Sequence, residues 1–240
     1  MAGGKTVVVT GASQGIGASI VRCFLDRGYN VVATARSMSK SGFAPSPNLV
    51  LVDGDISEAT TAAKVTKAAI DTFGTIDHVV SNAGIFSPKP FTEYTSEELH
   101  RFVSINLEGF IYITQLAVRQ MLSQGSGGSV ISITAALADN PVAGIPASIP
   151  MMTKGGLNAI TLSLASEYAR DRIRFNAVAP GVVDTPLHRD SSHESLKTRT
   201  PMGTISDPKD IADAVLYLTE ATHVTGEVLH VDDGAHMGRW

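Results

Sequence analysis

Seven short runs of aliphatic and β-branched residues punctuate the chain: Lys5–Thr10, Asn30–Ala35, Leu49–Val52, His78–Ser81, Ser129–Thr134, Ile173–Val178 and Glu227–Val231. Within them apolar positions tend to follow one another without polar alternation, the pattern of strands covered on both faces. Between the runs, Ile16–Arg27, Ala59–Phe73, Ser96–Leu122, Met151–Arg170 and Pro208–Thr219 carry apolar residues at helical spacing. Strand and helix alternate throughout, which predicts an α/β fold: a single Rossmann-type, doubly wound parallel sheet with helices on both faces. Right-handed crossovers would then align the strands' carboxyl ends along one edge, where ligands bind. No repeat or interdomain linker interrupts the pattern, so residues 1–240 are expected to form one domain. Thr185–Met202 is polar, contains Pro186 and Pro201 and lacks sheet character; a long irregular segment of this kind suggests a substrate lid at 185–202.

Composition narrows the class without changing the fold. Among 240 residues, hydrophobic types make up 43% and charged types 18%, values of a folded globule and not of a disordered chain. A net charge of −4 offers no basic field for a nucleic-acid backbone, so an anionic ligand must be held by local groups. No apolar run approaches the ~20 residues that span a bilayer, and strand-like Val7 follows the N-terminus too closely for a signal peptide. The one cysteine, Cys23, sits in an apolar helical stretch and reads as a small buried hydrophobe; its solitude excludes an internal disulfide and agrees with a cytoplasmic setting. No histidines stand at metal-ligand spacing.

Chemistry concentrates at the first strand–helix junction, Thr10-Gly11-Ala12-Ser13-Gln14-Gly15-Ile16-Gly17. Glycines there let backbone approach a pyrophosphate, and the opening turn of the helix offers amides to its charge. The second predicted strand runs into Arg36-Ser37, where an acidic residue would bind free ribose hydroxyls. Arg36 instead offers a permanently charged fork suited to a 2′-phosphate, and Ser37 a further donor, so NADP(H) is the expected cofactor.

Together with motifs spread along the rest of the chain, this loop resembles that of the short-chain dehydrogenase/reductase family. The resemblance covers essentially the whole chain. It adds Asp55, Asn82-Ala83-Gly84, Asn106, Lys154, Pro180-Gly181-Val182-Val183-Asp184-Thr185, Thr225-Gly226-Glu227 and Val231-Asp232-Asp233-Gly234. It implies that Asp55 and Ile56 contact the adenine. It also implies that Asn82-Ala83-Gly84 support the sheet beside the cofactor and that Val183 and Thr185 hold the nicotinamide amide. Ser81 replaces the family's usual first asparagine, Asp233 replaces a glycine, and Gln14 stands in a loop where many NADP-preferring relatives carry a second basic residue.

Catalysis in that family uses a tyrosine as proton donor and a lysine one helical turn later, which lowers the tyrosine's pKa and holds the nicotinamide ribose of the cofactor. A serine on the fifth strand hydrogen-bonds the carbonyl, and an asparagine anchors a water relay. Asn106 and Lys154 match; the tyrosine position holds Pro150 and the serine position Ala135, beside Thr134. None of the chain's tyrosines precedes a lysine by four residues, and Tyr168 reads as packing. Ser148 is expected to cap the helix that Pro150 starts. Three functions remain open: a reductase taking its proton from Thr134, Ser148, Asp139, His188, Lys154 or water; an NADP(H)-binding pseudo-enzyme or sensor; and a non-redox isomerase or cyclase using the same cleft. Leu137, Val142, Ile145, Ile149, Met151 and Leu187 would make the substrate pocket apolar, suiting a small carbonyl or alcohol. By analogy with relatives a homo-oligomer, tetramer or dimer, is expected, with helices 96–122 and 151–170 and the tail ending in Trp240 as interfaces.

Overall fold

The computed structural model describes residues 4–189 and 192–237. Its strands are β1 (Thr6–Thr10), β2 (Asn30–Ala35), β3 (Leu49–Asp53), β4 (His78–Ser81), β5 (Gly128–Ile133), β6 (Ile173–Pro180) and β7 (Val228–Val231). They form one parallel sheet in the order β3-β2-β1-β4-β5-β6-β7. The helices are α1 (Gly15–Asp26), α2 (Ala59–Phe73), α3 (Ser96–Val103), α4 (Gly109–Gln124), α5 (Ser148–Glu167), α6 (His193–Lys197) and α7 (Pro208–Glu220).

The uninterrupted apolar strands follow from this arrangement. In β1, Val7 and Val9 point into a core completed by Ile20 and Phe24 of α1 and by Ile211, Val215 and Leu218 of α7. Val8, between them, faces a second core built from Val65 of α2, Ile113 and Met121 of α4 and Leu157 of α5. A strand with two buried faces has no position at which a polar residue is free of cost. Cys23 packs against the first core, and burial raises its thiol pKa, as befits an inert side chain. Tyr168 packs on Phe175, ring centroids 5.9 Å apart, at the end of α5. Among the described residues no helix is long and apolar enough to cross a membrane.

Three boundaries differ from the sequence-based expectation. The helix foreseen over 96–122 is α3, a single wide π turn at Ser104–Glu108, and α4. The helix foreseen from Met151 begins at Ser148, and its cap position is Ala147, so Ser148 is the first helical residue and not the cap. Pro150 is thereby the third residue, where the backbone N–H has no intrahelical acceptor and a proline costs little. The segment foreseen as irregular contains a 3₁₀ turn at Pro186–His188 and the short helix α6, started by the Ser192 hydroxyl accepting from the Ser195 amide and anchored by the fully buried Leu196. Trp240, expected at an interface, lies outside the described residues.

His78 on β4 is buried, with Nδ1 2.9 Å from the Ser129 hydroxyl and Nε2 without a partner. Burial pushes its pKa from 6.5 down to about 3, so the folded chain holds the ring neutral. Below the unfolded value the unfolded chain takes up a proton that the native state refuses, and stability falls as pH drops from 6.5 toward 3. We expect wild type to lose about 2 kcal/mol relative to His78→Gln between about pH 6.5 and pH 5. Urea unfolding at both pH values measures the difference; parallel stability curves would contradict it.

Candidate active site

The ligand edge begins where β1 and β4 end, the point at which the crossovers reverse direction. There the Thr10 hydroxyl accepts from the amides of Asn82 (3.1 Å) and Ala83 (3.0 Å). In return the Asn82 side-chain amide donates to the carbonyls of Thr10 and Gly11, both at 3.0 Å. Four hydrogen bonds thus join the two strand ends and fix the loop Gly11, Ser13, Gln14, Gly15, Ile16 and Gly17 against the sheet. A Cβ on Gly17 would lie 2.2 Å from the Gly11 carbonyl oxygen and 2.6 Å from the Asn82 amide nitrogen, so only glycine permits this approach. Gln14 precedes α1 without a side-chain capping bond, leaving the helix's first-turn amides facing the crevice. This donor set suits an anionic diphosphate.

The resemblance-derived residues fall along the same edge. β2 hands over to exposed Arg36 and Ser37, and the turn after them is held by Asp53, whose carboxylate accepts from the Ser39 amide (2.9 Å) and hydroxyl (2.8 Å). Asp55 follows β3. Burial pushes its pKa up, but hydrogen bonds from the Ser57 hydroxyl and amide and the nearby Arg36 and Arg101 charges hold it below the usual value. The Ile56 side chain is buried in the second core. β6 ends at Pro180, and the Gly181 amide donates to the Val231 carbonyl at 3.0 Å. The Val183 side chain is likewise buried; Val182 and Asp184 pair with Ser206, which turns the backbone amide and carbonyl of Val183 the opposite way. Thr185 lies over Gly15, its side-chain carbons 3.3–3.4 Å from where a Cβ on that glycine would stand.

The π turn is explained by Asn106. Its side chain is almost wholly buried; Oδ1 accepts from the Ile85 amide at 2.9 Å, and Nδ2 donates to the Ile85 carbonyl (3.2 Å) and to the Thr153 hydroxyl (2.9 Å). The Thr153 hydroxyl in turn donates to the Pro150 carbonyl at 2.7 Å. Thr153 escapes sequence reasoning, its only signal being adjacency to Lys154. The Lys154 amine donates to the Ile133 carbonyl at 2.7 Å, and a Cβ on Gly84 would lie 3.1 Å from it and 3.3 Å from Asn106 Oδ1. Gly84 therefore makes room for both groups. Desolvation lowers the Lys154 pKa from 10.5 to about 8.

Of the other candidate donors, Thr134 and Asp139 are engaged in hydrogen bonds of their own. The Thr134 hydroxyl is buried and donates to the Val178 carbonyl at 3.3 Å. Asp139 accepts from the Asn158 amide at 3.1 Å and pairs with His230 Nε2 at 3.1 Å, tying the loop after β5 to β7. Ser148 is exposed at the start of α5. His188 is half-buried in the turn Pro186–His188, its pKa lowered by burial and by the Arg199 charge. Asp233 takes φ +54, a left-handed conformation that favours glycine; its carboxylate accepts from the hydroxyls of Thr204 (2.7 Å) and Ser206 (3.1 Å), tying the segment before α7 to the turn after β7. Ile149 and Pro150 are buried, Leu137, Ile145 and Met151 partly so, while Val142 and Leu187 are exposed. Among the described residues no cluster of three metal-ligating side chains occurs.

A family model described as enoyl-(acyl carrier protein) reductase matches residues 11–236. The chain belongs to the short-chain dehydrogenase/reductase family, and the relatives it resembles are oxidoreductases. An L-rhamnose 1-dehydrogenase (NAD(P)(+)) of Sphingomonas sp. is 32% identical over 248 residues, covering 98% of this chain and 97% of that one. The 3-ketoacyl-(acyl-carrier-protein) reductase of Brucella melitensis, solved with NADH, superposes with TM-score 0.90 at 27% identity, covering 98% of this chain and 100% of that one. ElxO carrying a tyrosine-to-phenylalanine substitution, solved with NADPH, superposes with TM-score 0.89 at 25% identity over 97% and 98%.

Asn82→Ala removes both side-chain bonds across the crevice and leaves two carbonyls short of a donor. The expected loss is about 1–3 kcal/mol of folding stability, read by chemical denaturation. A variant as stable as wild type would show that these bonds are not what joins the strand ends.

Proposed function

We propose that the chain is an NADP(H)-dependent oxidoreductase acting on a small apolar carbonyl or alcohol, with Lys154 supplying the proton directly or through an ordered water. The cofactor assignment is supported by Arg36 and Ser37 at the end of β2, with no carboxylate at either position. Gly11, Ser13, Gln14, Gly15, Ile16 and Gly17 would hold the diphosphate, and Asp55 and Ile56 the adenine. Asn82, Ala83 and Gly84 would back the ribose, while Pro180, Gly181, Val183 and Thr185 would flank the nicotinamide. When bound, that nicotinamide supplies the hydride; orientation, water exclusion and the proton fall to the chain.

The observation that carries the proton assignment is the pairing of Pro150 with Lys154. At Pro150 the family's acidic hydroxyl is replaced by a ring that cannot move a proton. One turn later a desolvated ammonium with pKa about 8 donates to the Ile133 carbonyl and has further N–H groups to offer. Such a group is largely protonated at neutral pH yet acidic enough to release the proton to a nascent alkoxide. Asn106 and Thr153 act on position: their bonds fix the first turn of α5 against the loop after β4. Thr134 can serve the carbonyl only by giving up its bond to Val178. A second reading, a binder without turnover, is favoured by that engagement of Thr134 and by the solved ElxO variant, which holds NADPH with one tyrosine replaced.

With an NADPH-supplied panel of aldehydes and ketones, carbonyl reduction is expected to be slow and to fall as pH rises through about 8, because the acid form of Lys154 is lost. Lys154→Met should abolish turnover, and Pro150→Tyr should raise it by roughly 10²–10⁴-fold. Nucleotide binding with no NADPH oxidation on any substrate, in wild type and Pro150→Tyr alike, would leave the binder reading in its place.

A further inference from the structure

The cleft at the adenosine end of the crevice, about 430 Å³, is shared by two arginines from different parts of the chain. Arg36 comes from the end of β2; Arg101 comes from α3. Both are exposed, and both charges act on Asp55. Neither guanidinium makes a hydrogen bond or ion pair among the described residues. Asp55 is held ionised by the Ser57 amide and hydroxyl, which donate to its Oδ1 at 3.0 and 2.7 Å, and by the two arginine charges, but it forms no ion pair with either guanidinium among the described residues. Glu108 is the other carboxylate on the lining, and His100 the remaining titratable group.

Arg101 is also held in place before any ligand arrives. α3 starts with a reciprocal cap: the Thr95 hydroxyl accepts from the Glu98 amide (3.2 Å) and the Glu98 carboxylate from the Thr95 amide (2.9 Å). Lys89 pairs with the same Glu98 at 2.6 Å. Phe102 is buried, which fixes the rotation of α3 and turns the preceding residue outward. Arg101, Ile105 and Glu108 then follow at helical spacing along one face, and that face lines the cleft. Two guanidinium forks, neither held by a hydrogen bond or ion pair among the described residues, thus line one small cleft beside the point where an adenosine ribose would lie, and their free N–H groups suit a phosphate.

We propose that Arg101 is a second cofactor-specificity residue, binding the 2′-phosphate of NADP(H) together with Arg36 and standing in for the basic residue that Gln14 does not provide. This rests on the NADP(H) reading above, and the experiment separates the two. The full-length chain is titrated calorimetrically with NADP⁺, NAD⁺ and adenosine 2′,5′-bisphosphate, as wild type, Arg36→Gln and Arg101→Gln, with thermal unfolding to confirm that each variant is folded. Arg101→Gln should weaken NADP⁺ and the bisphosphate by ~10-fold or more and leave NAD⁺ unchanged, the worth of one charge-assisted bond. An equal loss for NADP⁺ and NAD⁺ would place Arg101 on the adenine face and overturn the assignment, as would no loss at all. If wild type prefers NAD⁺ and Arg36→Gln leaves NADP⁺ binding unchanged, the NADP(H) reading itself fails.

Discussion

The crossover between β1 and β4 is the constraint on which the rest depends. A doubly wound sheet parts its helices at that point, and the backbone ladder between the two strands ends at Val9 and Val80. Here the Thr10 hydroxyl and the Asn82 amide bond them together, using only side-chain-to-backbone hydrogen bonds. The approach of Gly17 to Gly11 is possible because nothing larger stands at either position. The bonds of Thr10 and Asn82 lie within the strand ends and the glycine loop and involve neither Asn106 nor Lys154.

A second, separable layer sits on top of that crevice. Asn106 spends its amide on Ile85 and Thr153, forcing one wide helical turn and fixing the start of α5. Lys154 is carried by the same helix, close enough to Gly84 that the two sites share a wall. Pro150 fits this frame because the third residue of a helix donates no intrahelical bond. The hydrogen bonds of Asn106 and Thr153 thus hold the first turn of α5, Pro150 included, against the loop after β4.

Most of the fold was legible because burial on both faces leaves a simple trace. Val7, Val8 and Val9 serve two different cores in succession, and so no polar residue interrupts the run. What was not legible depends on distant partners. The break between α3 and α4 follows from an asparagine bonding a loop 21 residues away. The true start of α5 was hidden because Ala147 takes the cap position that Ser148 suits better on local chemistry. The glycine loop, Arg36, Asp55, Asn82 and Lys154 could be located by motif, while Thr153 and Arg101 carry no motif and become visible only when α3 and α5 are placed against the strand ends. The buried side chains of Ile56 and Val183 show a further limit, since a motif names a position without saying whether side chain or backbone faces the ligand.

The most direct test of the dinucleotide crevice is the stoichiometry of binding by the unmodified chain, followed by fluorescence as NADPH is added in the absence of any substrate. One saturable site per chain is the predicted result. A chain that takes up neither NADPH nor NADH at millimolar concentration would contradict it.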